Sequence, residues 1–199
     1  MKKDVLIVID MQKDFINGTL ANKDAEAMVP ALSRFIENWD GILVTTQDTH
    51  VDDEGYMTID NEFVIPYFQS QEGKILPYLH CVWQTDGWKL DEQIEEACNK
   101  FAEKNGKDAF ERVTKKSFGY TNWKHILDSK EINRIVLTGT CTDICVVSNA
   151  IILKALYPET EIYVLADLCA GLTKEKHDAA LNVMDSCQIK VIKSEDFVL

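Results

Sequence analysis

Short runs of β-branched and other apolar residues alternate along the chain with longer stretches in which apolar positions recur every three or four residues. The runs at 5–9, 42–46, 110–114, 134–138, 161–166 and 189–192 have the pattern of strands in a parallel sheet, buried on both faces. Between them, 25–38 places Met28, Leu32, Phe35 and Ile36 on one face, 91–104 does so with Ile94, Ala97, Cys98 and Phe101, and 174–186 with Ala180, Leu181 and Met184. The stretch 145–156, with Val146, Ala150, Leu153 and Leu156 at helical spacing, predicts a fourth helix, and 123–127 a shorter one. Strand and helix in turn predict an α/β fold, a single-domain, doubly wound (Rossmann-like) six-stranded parallel sheet with helices on both faces. Ligands of such sheets bind beyond the carboxyl ends of the strands, so the residues that follow each run are where chemistry is expected.

Those positions are ionisable or nucleophilic. The first run ends in Asp10, the second in Gln47-Asp48-Thr49-His50, the third in Lys115-Lys116, and the fourth leads through Gly139 to Cys145. Cys145 falls where a strand ends and a helix begins, with Thr142 or Asp143 as the expected cap. Unpaired N–H groups and the helix dipole there predict a thiol pKa below the free value of roughly 8.5. Taken singly, each residue has a plain structural role open to it: a small buried cysteine, a loop-capping aspartate, a solvated lysine. Together they are a base, a cation and a nucleophile, the parts that acyl transfer to sulfur requires. Asp48 and His50, two apart on an extended segment, project to the same side and can grip one metal ion, with His80 to close the set. His125 and His177 read as surface or boundary helix residues.

Composition narrows the partners. At 199 residues and 46% hydrophobic content the chain can bury one core, and residues 1–199 are expected to form one domain. A net charge of −12 disfavours nucleic acid or an anionic membrane surface as a partner and suits a small molecule. The N-terminal apolar run is bracketed by Asp4 and Asp10 and is too short for a signal peptide, and no stretch approaches the roughly 20 residues of a membrane span. The six cysteines have no paired spacing, as expected of reduced thiols, and a cytoplasmic location follows as the expectation.

The motifs VIDMQKDF, TQDTH, LPYLHCVWQTDGW, KKSFG and GTCTDICV resemble those of the isochorismatase-like cysteine hydrolases, and the second and third resemble the metal-binding nicotinamidase branch. The resemblance implies a catalytic set of Asp10, Lys115 and Cys145. Lys115 is preferred to Lys116 because the family lysine commonly precedes an aromatic residue by three, here Phe118. It also implies a cis peptide between Thr140 and Cys141, an oxyanion hole from the backbone N–H groups of Cys141 and Cys145, and a divalent metal (zinc, with manganese or iron as alternatives) on Asp48, His50, His80 and Glu72. Phe15 is a candidate to stack on a substrate ring, and Leu76 or Tyr78 is the nearest substitute for the ring-binding tryptophan expected just before His80. The implied reaction is hydrolysis of nicotinamide to nicotinate and ammonia through a thioester. Alternatives are another small amide or carbamoyl substrate, a non-catalytic flavodoxin-like binding module, and a thiol redox protein with Cys141 or Cys169 as the resolving thiol. One departure from the family is an aromatic insertion between Tyr56 and Glu72, with Phe63, Tyr67 and Phe68, expected to cover the crevice, to dock on another subunit in a homo-oligomer, or to bury its own rings as a longer surface loop.

Overall fold

The computed structural model describes residues 2–52, 57–59 and 62–198; Tyr56, Asp60 and Asn61 of the insertion lie outside them. Its strands are β1 (Lys3–Ile9), β2 (Ile42–Asp48), β3 (Met57–Ile59), β4 (Glu62–Val64), β5 (Phe110–Lys115), β6 (Ile132–Thr140), β7 (Glu161–Ala170) and β8 (Lys190–Ile192). Its helices are α1 (Lys13–Ile16), α2 (Lys23–Asn38), α3 (Gln71–Ile75), α4 (Glu92–Asn105), α5 (Trp123–Leu127), α6 (Val147–Leu156) and α7 (Lys174–Ser186). Six strands form one parallel sheet in the order β5-β2-β1-β6-β7-β8, and β3 and β4 pair separately as an antiparallel hairpin. From β1 the chain winds outward through β2 to β5, then returns to the other side of β1 and winds through β6, β7 and β8. The direction of winding therefore reverses between β1 and β6, which opens a crevice at their carboxyl ends.

Strand β1 shows why the expected apolar runs have no polar face. Leu6 and Val8 join Leu32 and Ile36 of α2 and Ile94 and Phe101 of α4 in one core, while Val5, Ile7 and Ile9 join Val146, Ala150 and Leu153, Met184 of α7 and Trp123 of α5 in the other. A strand covered by helices on both sides must be apolar at every position. Among the described residues no helix is long and apolar enough to cross a membrane.

The elements differ from expectation mainly at their ends, where polar side chains decide. Helix α2 begins at Lys23 because Asn22 accepts from the N–H groups of Asp24 and Ala25, and Asp91 caps α4 through the Gln93 N–H. The expected helix 145–156 starts only at Val147, because Thr142–Val146 forms a wider π-helical turn in which Val146 N–H donates to Cys141 O. Gly139 has φ +113°, and a Cβ there would lie 2.1 Å from Ile9 O; only glycine lets β6 lie this close to β1 just before the site.

Candidate active site

Four adjacent strand ends bring the polar residues into one buried cluster. Asp10 follows β1 with φ +48° and is wholly buried; Thr46 Oγ1 donates to its Oδ1 at 2.6 Å. Asp48 ends β2, and in the β2–β5 pairing it lies opposite Lys115. The buried Lys115 Nζ lies 2.7 Å from Asp10 Oδ2, 3.0 Å from Asp48 Oδ1, 3.2 Å from Ser117 O and 3.5 Å from Cys145 Sγ. Strand alternation sends the neighbouring lysine the other way, and Lys116 Nζ donates to Ile59 O at 2.7 Å, in the hairpin. Lys115, not Lys116, meets the aspartate and the cysteine.

The electrostatics of this cluster correct one expectation. Burial pushes the Cys145 thiol well above its ordinary pKa; Lys115 pulls it down, while the Asp10 and Asp48 carboxylates add to the rise. A turn before the helix offers less dipole than full burial takes away, so the expected lowering of this thiol is reversed. Neither proposed cap acts as one: Thr142 Oγ1 pairs with His177 Nδ1 at 2.8 Å, and Asp143 Oδ1 accepts from Leu172 N–H. His177, expected to be a bystander, thus holds the turn that carries Cys145. Burial raises Asp10 more than Lys115 lowers it, so its carboxyl binds a proton readily. Burial alone would lower the Lys115 ammonium, but Asp10 and Asp48 outweigh it and keep it charged. Asp48 stays well below the carboxylate range, since Lys115, His50 and His80 overcome its burial.

Asp48 also connects this cluster to a second one. Its Oδ2 faces His50 Nε2 at 3.1 Å and His80 Nε2 at 3.8 Å, and Glu72 Oε1 lies 3.8 Å from each imidazole. One donor atom from each of Asp48, His50, Glu72 and His80 lies within 4.8 Å of the others. Two imidazole nitrogens and two carboxylates this close fit a divalent cation. The His80 ring is oriented for the task, because its Nδ1 sits 2.8 Å from Tyr78 O and its Nε2 turns to the cluster. Burial keeps His80 below the ordinary imidazole value, in the neutral form that binds metal.

Phe15 is buried and meets the His80 ring edge-on at 5.4 Å, whereas the Tyr78 side chain is exposed and that residue contributes its carbonyl to His80. The Thr140–Cys141 peptide is cis, and Cys141 O accepts from Ile144 and Val146 N–H. Of the aromatic insertion, Tyr67 is fully buried, its ring 4.8 Å from that of His50 and 5.4 Å from that of His80, with its hydroxyl donating to Leu76 O. The insertion thus walls the second cluster and leads into α3, which carries Glu72 and is capped by Ser70. Phe63 and Phe68 remain exposed.

Sequence reasoning missed Gln12. Its Oε1 accepts from Asp48 N–H at 2.7 Å, and its Nε2 donates to Asp48 O at 2.9 Å and Trp88 O at 2.8 Å. A buried carboxamide pairing with a peptide holds the Asp48 backbone as a neighbouring strand would. Asp14 was missed as well; its Oδ2 accepts from Cys81 N–H at 2.7 Å and fixes the residue after His80. Both stand in the quoted VIDMQKDF motif, two and four residues beyond Asp10, the one signal that could have marked them.

Comparison with known proteins agrees with this geometry. The isochorismatase domain family model matches residues 4–196. The chain is similar to the nicotinamidase of Schizosaccharomyces pombe, 26% identical over 98% of this chain and 94% of that one. Among solved structures, pyrazinamidase/nicotinamidase from Streptococcus mutans superposes with a TM-score of 0.74 at 26% identity, covering 95% of this chain and 99% of that one. The pyrazinamidase of Pyrococcus horikoshii, in complex with zinc, superposes with a TM-score of 0.67 at 24% identity, covering 96% and 99%.

Proposed function

The chain belongs to the isochorismatase family, and on that premise we propose that it is a metal-containing cysteine amidohydrolase that converts nicotinamide to nicotinate and ammonia through a thioester on Cys145. One observation carries the reading: a single buried ammonium, Lys115, touches Asp10, Asp48 and the Cys145 sulfur together. Similarity to nicotinamidases over nearly the whole chain supports the choice of substrate.

Burial keeps the Cys145 sulfur protonated at rest, so the thiol gives up its proton as it attacks, and Asp10 is the base that receives it. Moving a proton from sulfur to carboxylate leaves the net charge of the cluster unchanged, which a low-dielectric site favours. The sulfur adds to the carboxamide carbon, and Lys115 with the N–H groups of Cys141 and Cys145 stabilises the oxyanion. Asp10 returns the proton to the leaving nitrogen, ammonia departs, and a thioester remains. Asp10 then takes a proton from water, which attacks the thioester; the acid leaves and the thiol is restored. A divalent cation on Asp48, His50, Glu72 and His80 supplies Lewis acidity at the edge of the crevice, and zinc, manganese or iron would accept these donors. Phe15 offers an aromatic edge beside that cluster for the substrate ring.

The test is ammonia release from nicotinamide and from a panel of small amides and carbamoyl compounds, with metal content measured on the same sample. Nicotinamide is expected to turn over fastest, and chelation to remove metal and activity together. Turnover confined to a carbamoyl compound would move the substrate and keep the chemistry. No turnover of any amide by metal-loaded protein would overturn the reading.

A further inference from the structure

Asn149, wholly buried in α6, uses all four hydrogen-bonding positions of its side chain. Its Nδ2 donates to Cys145 O at 2.8 Å and to Phe118 O at 3.1 Å, and its Oδ1 accepts from Tyr120 N–H at 2.9 Å and Trp123 Nε1–H at 3.1 Å. Cys145 O belongs to the residue whose sulfur faces Lys115. Phe118 and Tyr120 belong to the loop that follows Lys115, and Ser117 in that loop accepts from Lys115 Nζ. The loop lies flat against α6, since a Cβ on Gly119 would come within 2.5 Å of Ile152. We propose that Asn149 is a positioning residue that sets the separation between the Cys145 sulfur and the Lys115 ammonium, by pinning the backbones of both segments to one rigid carboxamide. The inference rests on the triad reading above.

The chemistry of the two halves of the side chain provides the test. Asn149→Asp keeps the shape and the acceptor facing Tyr120 and Trp123, but turns an oxygen instead of an NH2 toward two carbonyls. Trp123→Phe removes one partner of the acceptor half and leaves the donor half untouched. Misplacement of a catalytic group by about 1 Å can cost on the order of a hundredfold, so Asn149→Asp is expected to lower kcat about 30- to 100-fold with KM within about twofold. Trp123→Phe is expected to lower Tm and to keep kcat within about twofold. Iodoacetamide labelling of Cys145, measured relative to the exposed Cys187, is expected to slow in Asn149→Asp as Lys115 leaves the sulfur, and to be unchanged in Trp123→Phe. This labelling needs no turnover, so it decides the inference even if no amide proves to be a substrate. If Asn149→Asp does not fold, Asn149→Ser takes its place. A serine there can bond to Cys145 O as Ser148 bonds to Ile144 O, while releasing the loop. It is expected to show slowed labelling and, on a substrate, about a tenfold fall in kcat. A folded Asn149 variant with wild-type kcat and labelling, or a Trp123→Phe variant that loses kcat as far as Asn149→Asp, overturns the proposal.

Discussion

Lys115 is a cation without solvent contact, and the groups within reach of it are two carboxylates, a thiol and a carbonyl. Its charge offsets two buried anions, so its removal has two consequences. Lys115→Ala should destabilise the fold by about 3–5 kcal/mol, the usual cost of leaving buried charge unpaired. It should also slow turnover by roughly a hundredfold to a thousandfold through loss of an oxyanion donor. Lys116→Ala, whose ammonium points to the hairpin and donates to Ile59 O, should change kcat by less than about twofold, the small effect usual away from the chemistry. Denaturant melts and steady-state kinetics on both variants check this, and equal losses from the two would contradict it. At this scale the sequence is legible where a position follows from chemical type and strand end, and Asp10, Asp48, Lys115 and Cys145 do meet in one cluster; the catalytic roles given to them belong to the proposal. It is not legible for the Cys145 thiol, because a pKa depends on burial by residues far along the chain, and burial there outweighs the helix end.

At the scale of elements, strand interiors and helix faces could be read from periodicity, while boundaries were set by side chains that bond backbone, such as Asn22 and Asp91. Gln12 is the clearest case of a role that periodicity cannot reveal, since its partner Asp48 is 36 residues away. Residues that hold a ligand's supporting backbone typically change metal affinity by about 10- to 100-fold. Gln12→Ala should therefore weaken divalent-metal binding by that factor, as measured by competition with a chelating dye. Unchanged affinity would mean that Asp48 is held without it. Gly139→Ala tests the close approach of β6 to β1, because the added Cβ would lie 2.1 Å from Ile9 O at φ +113°. A loss of about 1–3 kcal/mol is expected from the backbone conformation alone, read in a urea melt; a loss below about 0.5 kcal/mol, the usual range for neutral surface changes, would show that β6 moves away freely.

The whole molecule carries a net charge of −12, yet its two ends are fastened by a cation. Arg134 Nε bonds both oxygens of Asp4 at 3.1 Å, its guanidinium lies over Phe197 at 4.3 Å, and it donates to Val198 O. Burial would raise the Asp4 carboxyl, but the bonds from Arg134 and Asn133 hold it below its ordinary value of 3.8. A carboxyl lowered in the folded state stabilises the fold above its unfolded pKa, and that contribution is lost as pH falls through the folded value. For a partly exposed pair the effect is about 1 kcal/mol or less. Asp4→Asn should therefore lower Tm at neutral pH and flatten its decline below about pH 4; parallel Tm profiles for the two proteins would contradict the assignment. The sheet and its reversal of winding were legible because a parallel sheet needs apolar strands and intervening helices. The wall formed by the aromatic insertion was one of three roles the sequence left open, and periodicity could not choose among them; the packing of Tyr67 on His50 and His80 does.

Acylation of Cys145 by a carboxamide substrate can be caught by rapid acid quenching of metal-loaded enzyme with nicotinamide, followed by peptide mass spectrometry. A nicotinoyl group is expected on the Cys145 peptide within the first turnover, with neither adduct nor ammonia from Cys145→Ala. An acyl group on another residue, or ammonia release that survives Cys145→Ala, would contradict it.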